Sequence, residues 1–220
     1  YTVAGSTITF TSNLVTGDVI DFIQILGSVL DLGTPSDNTV SLAKLTATGT
    51  KDATTFLRGD NSFAAAGGLA QVVSTNFTAV ASSNSATFAD VSNFNATITP
   101  SSSSNKILII VDCHFGGVQD SYPAIKLFRG STEIFSGVNA SGNQISCFLG
   151  YSYIDTPNQS IGQSRTVLDS PNTTSETTYK IQLARPYSSS PVYINRTSQN
   201  ENAAYTQSKT SGITLMEVTV

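Results

Sequence analysis

The feature that most constrains this chain is a succession of short apolar runs that fills residues 69–220. Gly, Ser, Asn and Pro separate the runs, and none of them has a convincing helical period. Many short strands at such spacing are typical of a β-sandwich or jelly roll. We predict strands at 71–77, 86–99, 106–115, 123–128, 133–135, 145–154, 164–168, 177–184, 192–195 and 213–220. The chain is therefore predicted to be all-β, with its main domain at 69–220.

One of these runs predicts an oligomer. Successive side chains of a strand point to opposite faces, so one face is predicted to fill the core with Ile107, Ile109, Val111, Cys113 and Phe115. The other face begins with Leu108 and Ile110, although the outer side of an antiparallel sandwich strand is normally solvated. We therefore predict that a neighbouring subunit covers Leu108 and Ile110.

Residues 1–25 are predicted to be the end of a β domain that begins upstream. Two strand-like runs, 6–11 and 19–25, flank a turn at Thr16-Gly17-Asp18. A lone hairpin is marginal in water, and the chain starts without an initiator Met or a visible signal peptide. We expect it to begin inside a longer protein.

Residues 26–68 have single, widely spaced apolar residues among Gly, Thr, Ala and Asp. One such chain cannot bury a core, but three copies around an axis can. We predict a trimeric shaft with Leu42, Leu45, Phe56 and Phe63 at the axis. A flexible linker is the alternative, and a short helical turn around Leu42 and Leu45 is a further one.

Composition argues against several functions. Charged residues are 12% of the chain, against the roughly 25% of an ordinary globular domain. The net charge is −4 and the 11 Lys and Arg residues are scattered, which disfavours nucleic-acid binding. No apolar stretch approaches the roughly 20 residues of a membrane-spanning helix. No cofactor is expected.

Groups that could do chemistry are few. Three copies of His114, the single histidine, could form a metal site on a threefold axis, but a local hydrogen bond is the simpler interpretation. One histidine without a positioned nucleophile cannot make a catalytic triad, and no pair of carboxylates stands out, so we predict no enzymatic activity. Cys113 and Cys147 are predicted to be buried free thiols rather than a disulfide.

The segment 45–64 resembles a known motif. It reads LTATGT at 45–50 and TTFLRGDNSFA at 54–64, which is similar to a segment found in many phage tail-fibre and tail-tip proteins, with Phe63 where Trp is usual. The opening YTVAGSTITFT at 1–11, with GDVI at 17–20, resembles the end of a small β domain repeated in phage fibres. Arg58-Gly59-Asp60 also spells the integrin-binding tripeptide, but a tight turn is the simpler interpretation.

The remainder of the chain is similar to a head domain common in marine phage fibres. The matching pieces are TPSS at 99–102, NKIL at 105–108, RGS at 129–131, DSP at 169–171, TTYK at 177–180, VYINR at 192–196 and ITLME at 213–217. The resemblance implies a homotrimer on the exterior of a virion, with a jelly-roll head like the complement globular head or tumour necrosis factor. Other virion proteins would hold its N-terminal side, and the head would attach to a host surface glycan or protein. The alternative is a capsid-attached head fibre or decoration protein with a purely structural role.

Strand direction predicts which loops meet the host. If strands alternate in direction and the last one finishes beside the shaft, the loops 116–121, 137–143, 169–176 and 196–211 share the distal end. Long loops on a rigid scaffold commonly carry function, and Tyr and Asn suit sugar or protein contacts. The predicted receptor-binding residues are Asn139, Asn143, Asn172, Asn200, Asn202, Tyr205 and Lys209.

Overall fold

The computed structural model describes residues 1–4, 7–19, 41, 44–53, 55–65, 67–138, 142–151, 153–187 and 189–220. The chain divides into two compact units, Tyr1–Ala65 and Ala66–Val220. The regular elements of the described ranges are β1 (Thr2–Ala4), β2 (Thr7–Thr9), β3 (Thr55–Leu57), β4 (Phe63–Ala65), β5 (Leu69–Phe77), β6 (Ala81–Ser83), β7 (Ala89–Ile98), β8 (Lys106–Gly117), β9 (Ala124–Arg129), β10 (Thr132–Ile134), β11 (Leu149–Gly150), β12 (Ser160–Asp169), β13 (Thr177–Ala184), β14 (Val192–Ile194) and β15 (Ser211–Val218). No helix in these ranges is long and apolar enough to cross a membrane.

The first unit begins with a hairpin of β1 and β2. The predicted strand at 6–11 is thus β2, but its partner β1 was not predicted. The predicted turn is confirmed, since the N–H of Asp18 donates to the carbonyl of Val15 over 3.0 Å and Gly17 has a φ of +110°. The predicted strand at 19–25 lies outside the described residues after its first position.

A second hairpin, β3 with β4, contains the Arg-Gly-Asp sequence. The N–H of Arg58 donates to the carbonyl of Ser62 over 2.8 Å, and the N–H of Asn61 donates back to the carbonyl of Arg58 over 3.0 Å. The carboxylate of Asp60 accepts from the N–H and the hydroxyl of Ser62, at 3.0 and 2.6 Å. The prediction of a tight turn is confirmed.

The two halves of the 45–64 motif pack against each other. The N–H of Thr48 donates to the carbonyl of Asn61 over 3.1 Å, and the N–H of Phe63 donates to the carbonyl of Thr48 over 2.7 Å. Gly49 has a φ of +87°, and a Cβ there would overlap the carbonyl oxygen of Phe63. Glycine alone suits both conditions, so Gly49 lets the two halves form one folded piece.

The second unit consists of two packed sheets with eight strand positions. In the first sheet, β8 lies between β12 on one side and both β15 and β14 on the other. β15 then pairs with β5, and β14 pairs with β6. In the second sheet, β13 lies between β7 and β9, and β10 and β11 pair one after the other along the free edge of β9. Counted between successive strand positions, nearly every connection crosses from one sheet to the other, as in a jelly roll. The predicted fold class, an all-β jelly-roll sandwich, is confirmed.

The core lies between the two sheets. The predicted inner face of β8 is confirmed, because its five side chains are 0% exposed: Ile107, Ile109, Val111, Cys113 and Phe115. Phe77 of β5 stacks on Phe94 of β7, with ring centroids 4.8 Å apart. Complete burial of one large apolar side chain stabilises a fold by about 1.5–3 kcal/mol, so this contiguous core is the main source of stability.

The predicted strand at 145–154 is wrong over most of its length, because β11 covers only Leu149 and Gly150. The guanidinium of Arg165 is the physical reason. It donates to the carbonyls of Phe135 and Phe148 over 3.0 and 2.9 Å and lies 4.8 Å from the centroid of the Phe148 ring. A side chain therefore satisfies carbonyls that a neighbouring strand would otherwise bind.

The sandwich has two distinct ends. Val218 at the end of β15 pairs with Leu69 at the start of β5, and the N–H of Thr219 donates to the carbonyl of Gly68 over 2.9 Å. We call this end, where the chain enters the unit, the base. The opposite end, where β8 finishes at Gly117, we call the loop end.

The base is held by a buried carboxylate. Glu217 is 0% exposed and accepts hydrogen bonds from Asn105 Nδ2 and Gln71 Nε2, each over 2.6 Å. The N–H and the hydroxyl of Ser101 also donate to it, each over 2.7 Å. Burial alone would raise the pKa of Glu217, but these hydrogen bonds outweigh it and lower the pKa to about 2. The carboxylate thus ties the connection between β7 and β8 to the last strand.

The outer face of the first sheet has a row of apolar side chains near the base. Leu168, Leu108, Met216 and Val72 face one another in register across β12, β8, β15 and β5. Leu168 and Val72 are 45% and 53% exposed, and the other two are half-buried. We call these four residues the outer apolar row; the neighbouring row, which contains Ile110, is otherwise made of Thr and Ser.

Candidate functional site

The segments at the loop end of the sandwich include 118–123 after β8, the described residues of 151–159 after β11 and of 185–191 after β13, and the long loop 195–210 between β14 and β15. The strand register brings them together. Gly116 of β8 faces both Ser160, at the start of β12, and Tyr193 of β14. Ala184, at the end of β13, faces Ala124, at the start of β9.

Three tyrosines come from three of these segments, and Tyr122 contacts the other two, Tyr153 and Tyr187. The ring of Tyr122 lies nearly edge-on to Tyr187, with centroids 5.3 Å apart, and to Tyr153, with centroids 6.2 Å apart. Tyr122 is half-buried, whereas Tyr153 and Tyr187 are 39% and 71% exposed. Edge-to-face contacts add about 0.5–1.5 kcal/mol beyond burial, so Tyr122 holds two exposed rings in place. We call these three residues the tyrosine cluster.

Backbone hydrogen bonds set the spacing between two members of the cluster. The N–H of Asp120 donates to the carbonyl of Ile154 over 2.9 Å, and the N–H of Ile154 donates to the carbonyl of Ser121 over 3.0 Å. Ser121 is itself buried, and its hydroxyl donates to the carbonyl of Val118 over 2.7 Å. A Cβ at Gly117 would overlap that hydroxyl. The segments that carry Tyr122 and Tyr153 are therefore rigidly joined.

Planar polar side chains adjoin the cluster. Gln119 and Asp120 are exposed, and both act on the hydroxyl of Tyr153. The amide of Gln119 favours the phenolate, but the carboxylate of Asp120 and the charge of Asp155 outweigh it and raise the pKa of Tyr153. The site is therefore a shallow aromatic surface with amide and carboxylate groups beside it.

The long loop is rooted by Asn195. Its Nδ2 donates to the carbonyls of Phe77 and Ala79 over 2.6 and 2.9 Å, and its Oδ1 accepts from the hydroxyl of Ser211 over 2.6 Å. Its N–H donates to the carbonyl of His114 over 2.9 Å, and the N–H of His114 donates to the hydroxyl of Ser211 over 3.0 Å. The loop thus leaves and rejoins the sheet at the same point of β8.

Within the long loop, side chains are partly fixed. Lys209 Nζ donates to the carbonyl of Ser160 over 3.2 Å. The hydroxyl of Tyr205 donates to the carboxylate of Glu201 over 3.0 Å, which raises the pKa of Tyr205. Tyr205 is nevertheless 53% exposed. Two amide side chains in the same loop are exposed as well, Asn200 and Asn202.

The structure divides the predicted receptor-binding residues. Four lie in the loop at the loop end, as predicted: Asn200, Asn202, Tyr205 and Lys209. Asn172 does not, because it follows Asp169, which pairs with Ile107 near the base. Asn143 lies in the excursion between β10 and β11, at the edge of β9 rather than at an end. Asn139 is outside the described residues.

The two misplaced loops, 169–176 and 137–143, have a common cause. The prediction gives the strands 192–195 and 213–220 opposite directions, but β14 and β15 both run antiparallel to β8 and share one strand position. Counting β14 and β15 as two positions reverses the predicted direction of every earlier strand. The strands β10 and β11 also share one position but are counted as two, and this second error restores the correct direction for the strands before β10. The predicted position of the loop 116–121 is therefore correct.

The described residues that were predicted at a subunit axis are all at least partly exposed in the single chain. Leu45 and Phe63 are half-buried, Phe56 is 49% exposed, and Leu42 lies outside the described residues. Leu108 and Ile110 are half-buried on the outer face. Their role at an axis stays a prediction, as does the threefold metal site at His114, whose ring packs over Gly162 of β12. Within one chain, the described residues contain no cluster of metal-ligating side chains.

The prediction of free thiols is confirmed. Cys113 and Cys147 are both unbridged, and Cys113 lies in the core, where burial raises the pKa of its thiol. Cys147 is only half-buried, and partial burial raises the pKa of its thiol as well.

The tyrosine cluster was not predicted from the sequence. Two of its members, Tyr122 and Tyr187, lie outside the predicted strands, and each is next to a proline, in Tyr122-Pro123 and Pro186-Tyr187. An aromatic residue in a turn is a useful signal, because a turn exposes a ring that a strand would bury. Tyr153 gave no such signal, since the predicted strand at 145–154 included it.

Comparison with known proteins gives little. No family model matches the chain, and no curated protein matches it. Among solved structures, the structure of infectious bursal disease virus Gx strain is similar, with a TM-score of 0.34 and 9% sequence identity. The alignment covers 72% of this chain and 39% of that one. A likeness of this size supports no functional statement.

Proposed function

We propose that this chain is the outer part of a trimeric phage tail fibre, a structural protein on the virion exterior that attaches to a host through the loop end of its head. The observation that carries the proposal is the asymmetry of the sandwich. The chain enters at the base, where β5 begins beside the end of β15, whereas the tyrosine cluster and the long loop lie at the opposite end. An attachment protein needs this arrangement, because the recognition surface must face away from its anchor.

The resemblance of 45–64 to a tail-fibre motif supports the same proposal. The structure gives this motif a physical form, a hairpin closed against Thr48 and Gly49. A capsid-attached head fibre or decoration protein is the alternative. A purely structural role leaves two ordered, exposed tyrosine rings at the loop end without a use, so we favour attachment.

The homotrimer is part of the proposal. The outer apolar row exposes Leu168 and Val72 beside the half-buried Leu108 and Met216, on a face that an isolated sandwich would keep polar. None of the four side chains is charged, so three copies of the row can meet around a threefold axis without burying an unpaired charge. Two further copies of this chain would cover it.

Site-directed blocking tests the attachment proposal. In a Cys147→Ser background, a single cysteine is introduced by Asp155→Cys at the loop end or by Asn172→Cys at the base, and each is coupled to a polyethylene glycol maleimide. Both positions are exposed in loops, so the two proteins form a matched pair. Binding to a panel of bacteria, marine isolates included, is measured by flow cytometry with fluorescent protein.

We expect the polymer at residue 155 to abolish binding and the polymer at residue 172 to leave it within about twofold. Equal binding by the two conjugates, or loss only with the base conjugate, would show that the loop end is not the attachment surface. Absence of binding by the unmodified protein to every strain would count against attachment itself and favour the structural alternative.

A further inference from the structure

We infer that the tyrosine cluster is a binding site for a neutral saccharide, an inference that rests on the proposed attachment function and names its ligand class. Tyr153 and Tyr187 each present an exposed ring, and Tyr122 contacts both. The C–H face of a pyranose ring packs against an aromatic face of this kind, since a tyrosine has an apolar body and a polar tip.

The rings are held before any ligand arrives. Tyr122 is half-buried between them, and the backbone bonds between Asp120, Ser121 and Ile154 fix the segments that carry two of the rings. Immobilising a side chain on binding costs conformational entropy. The cluster avoids much of this cost, which matters most for a saccharide, because each of its contacts is weak.

Hydroxyl groups of a sugar find partners beside the rings. The amide of Gln119 both donates and accepts hydrogen bonds, and the carboxylate of Asp120 accepts them. Both side chains are exposed, and the N–H of Asp120 donates to the carbonyl of Ile154, the residue after Tyr153, over 2.9 Å. A ligand hydroxyl at that position can join the same network.

The surroundings favour a saccharide over a protein. Large apolar side chains exposed at the loop end are Tyr153, Tyr187, Tyr205 and Val80, three of them tyrosines. The buried centre of a protein interface is usually more apolar and larger than a few scattered rings. The other exposed residues nearby are short amides, hydroxyls and acids, which match sugar hydroxyls.

The charges favour a neutral saccharide over an acidic one. The carboxylates of Asp120 and Asp155 both act on the hydroxyl of Tyr153, so a uronic or sialic acid would meet two like charges there. The basic groups described at this end are engaged within the chain. Arg196 lies over the ring of Tyr193 at 4.0 Å, Lys209 donates to the carbonyl of Ser160 over 3.2 Å, and Arg185 donates through Nη2 to the carbonyl of Asn84 over 2.5 Å.

An exposed site of this kind binds a single sugar unit weakly, because it buries little of the ligand's surface. Three linked sites on a trimer raise the apparent affinity by about 10²–10⁴ where a polymeric ligand spans them. A repeating surface polysaccharide is therefore the form of ligand that suits the cluster best.

Oligosaccharide binding tests the inference. The whole chain is applied to an array of neutral oligomers built from glucose, galactose, mannose and N-acetylhexosamines, with uronic-acid and sialylated oligomers beside them. Tyr187→Ala and Tyr153→Ala are compared with Tyr1→Ala, an exposed tyrosine of the first unit to which no binding role is assigned. We expect binding to at least one neutral oligomer, a loss of tenfold or more in both cluster variants, and a change within twofold in Tyr1→Ala.

Three results would overturn the inference: no neutral oligomer bound, a preference for acidic oligomers, or an equal loss in Tyr1→Ala. Cell binding separates this failure from that of the proposed function. If wild type and Tyr187→Ala bind cells equally, the saccharide site is wrong while attachment stands. If protease treatment of the cells abolishes binding and periodate oxidation of their sugars does not, the receptor is a protein. If wild-type protein binds no strain, attachment itself is wrong.

Discussion

Among single residues, Glu217 makes the most concentrated set of polar contacts at the base. Four hydrogen bonds from three residues converge on its buried carboxylate. Two of these residues, Ser101 and Asn105, come from the connection between β7 and β8, far away in sequence. A glutamate in an alternating strand gives no hint of such partners, so the sequence offered Glu217 only as one acid among several.

Glu217→Gln is expected to destabilise the head by roughly 2–3 kcal/mol at pH 7, because charge-assisted hydrogen bonds are lost and donors are left buried without acceptors. The folded-state pKa of about 2 lies below the ordinary value of 4.5. The carboxylate therefore contributes stability that is complete above about pH 4.5 and is lost as the pH falls towards 2.

Thermal unfolding followed by circular dichroism between pH 2 and pH 7 measures this effect. The difference in Tm between wild type and Glu217→Gln should shrink as the pH falls through that window. Glu176→Gln, at an exposed position, serves as the control and should change Tm little at any pH. A difference that is constant with pH would show that the charge of Glu217 contributes nothing.

At the scale of elements, the hairpin motif of 45–64 depends on Gly49. Gly49→Ala combines a positive φ with an overlap against the carbonyl of Phe63, so we expect Thr48 to be pushed from the hairpin and the piece to loosen. Trypsin should then cleave after Arg58, in the turn, at least several-fold faster than in wild type.

Gly67→Ala is the matched control, since a Cβ there meets no atom within 4 Å, and its cleavage rate should equal that of wild type. Mass spectrometry of the early fragments identifies the cleaved bond. Unchanged cleavage after Arg58 in Gly49→Ala would show that the contact between the two halves of the motif does not hold the turn.

Elements also show how far the sequence could predict the fold. The alternation of side chains between the two faces of a strand predicted the inner face of β8 correctly, because residues two apart in a strand must share a face. It could not predict that β14 and β15 continue one strand position, since the interruption depends on Asn195 reaching Phe77 and Ala79. Of the site, the long loop was predictable from its length and polarity, whereas the tyrosine cluster depends on which strand ends meet.

At the scale of the whole molecule, the outer apolar row predicts the mass in solution. Light scattering should give a particle near three times the 23.1 kDa chain mass. Val72→Lys with Leu168→Lys places charges at two exposed positions of the row, so the particle should shift towards the monomer while far-ultraviolet circular dichroism stays unchanged.

Val80→Lys with Val138→Lys is the matched control, because these valines are 52% and 97% exposed and lie outside the row. This variant should keep the mass of wild type. A wild-type monomer at micromolar concentration would contradict the trimer, and a trimer that survives charges in the row would move the interface elsewhere.

The hydrogen-bonded meeting of Gly68 and Thr219 at the base makes the head a cassette with one point of attachment. A short linker between the two would close the sandwich into a ring, and new termini could be opened in an exposed loop such as 170–176, as circular permutation requires. If the proposed attachment function is right, a single recombination block would carry the complete recognition surface from one fibre to another for the same reason. A change of host would then need only a change of cassette.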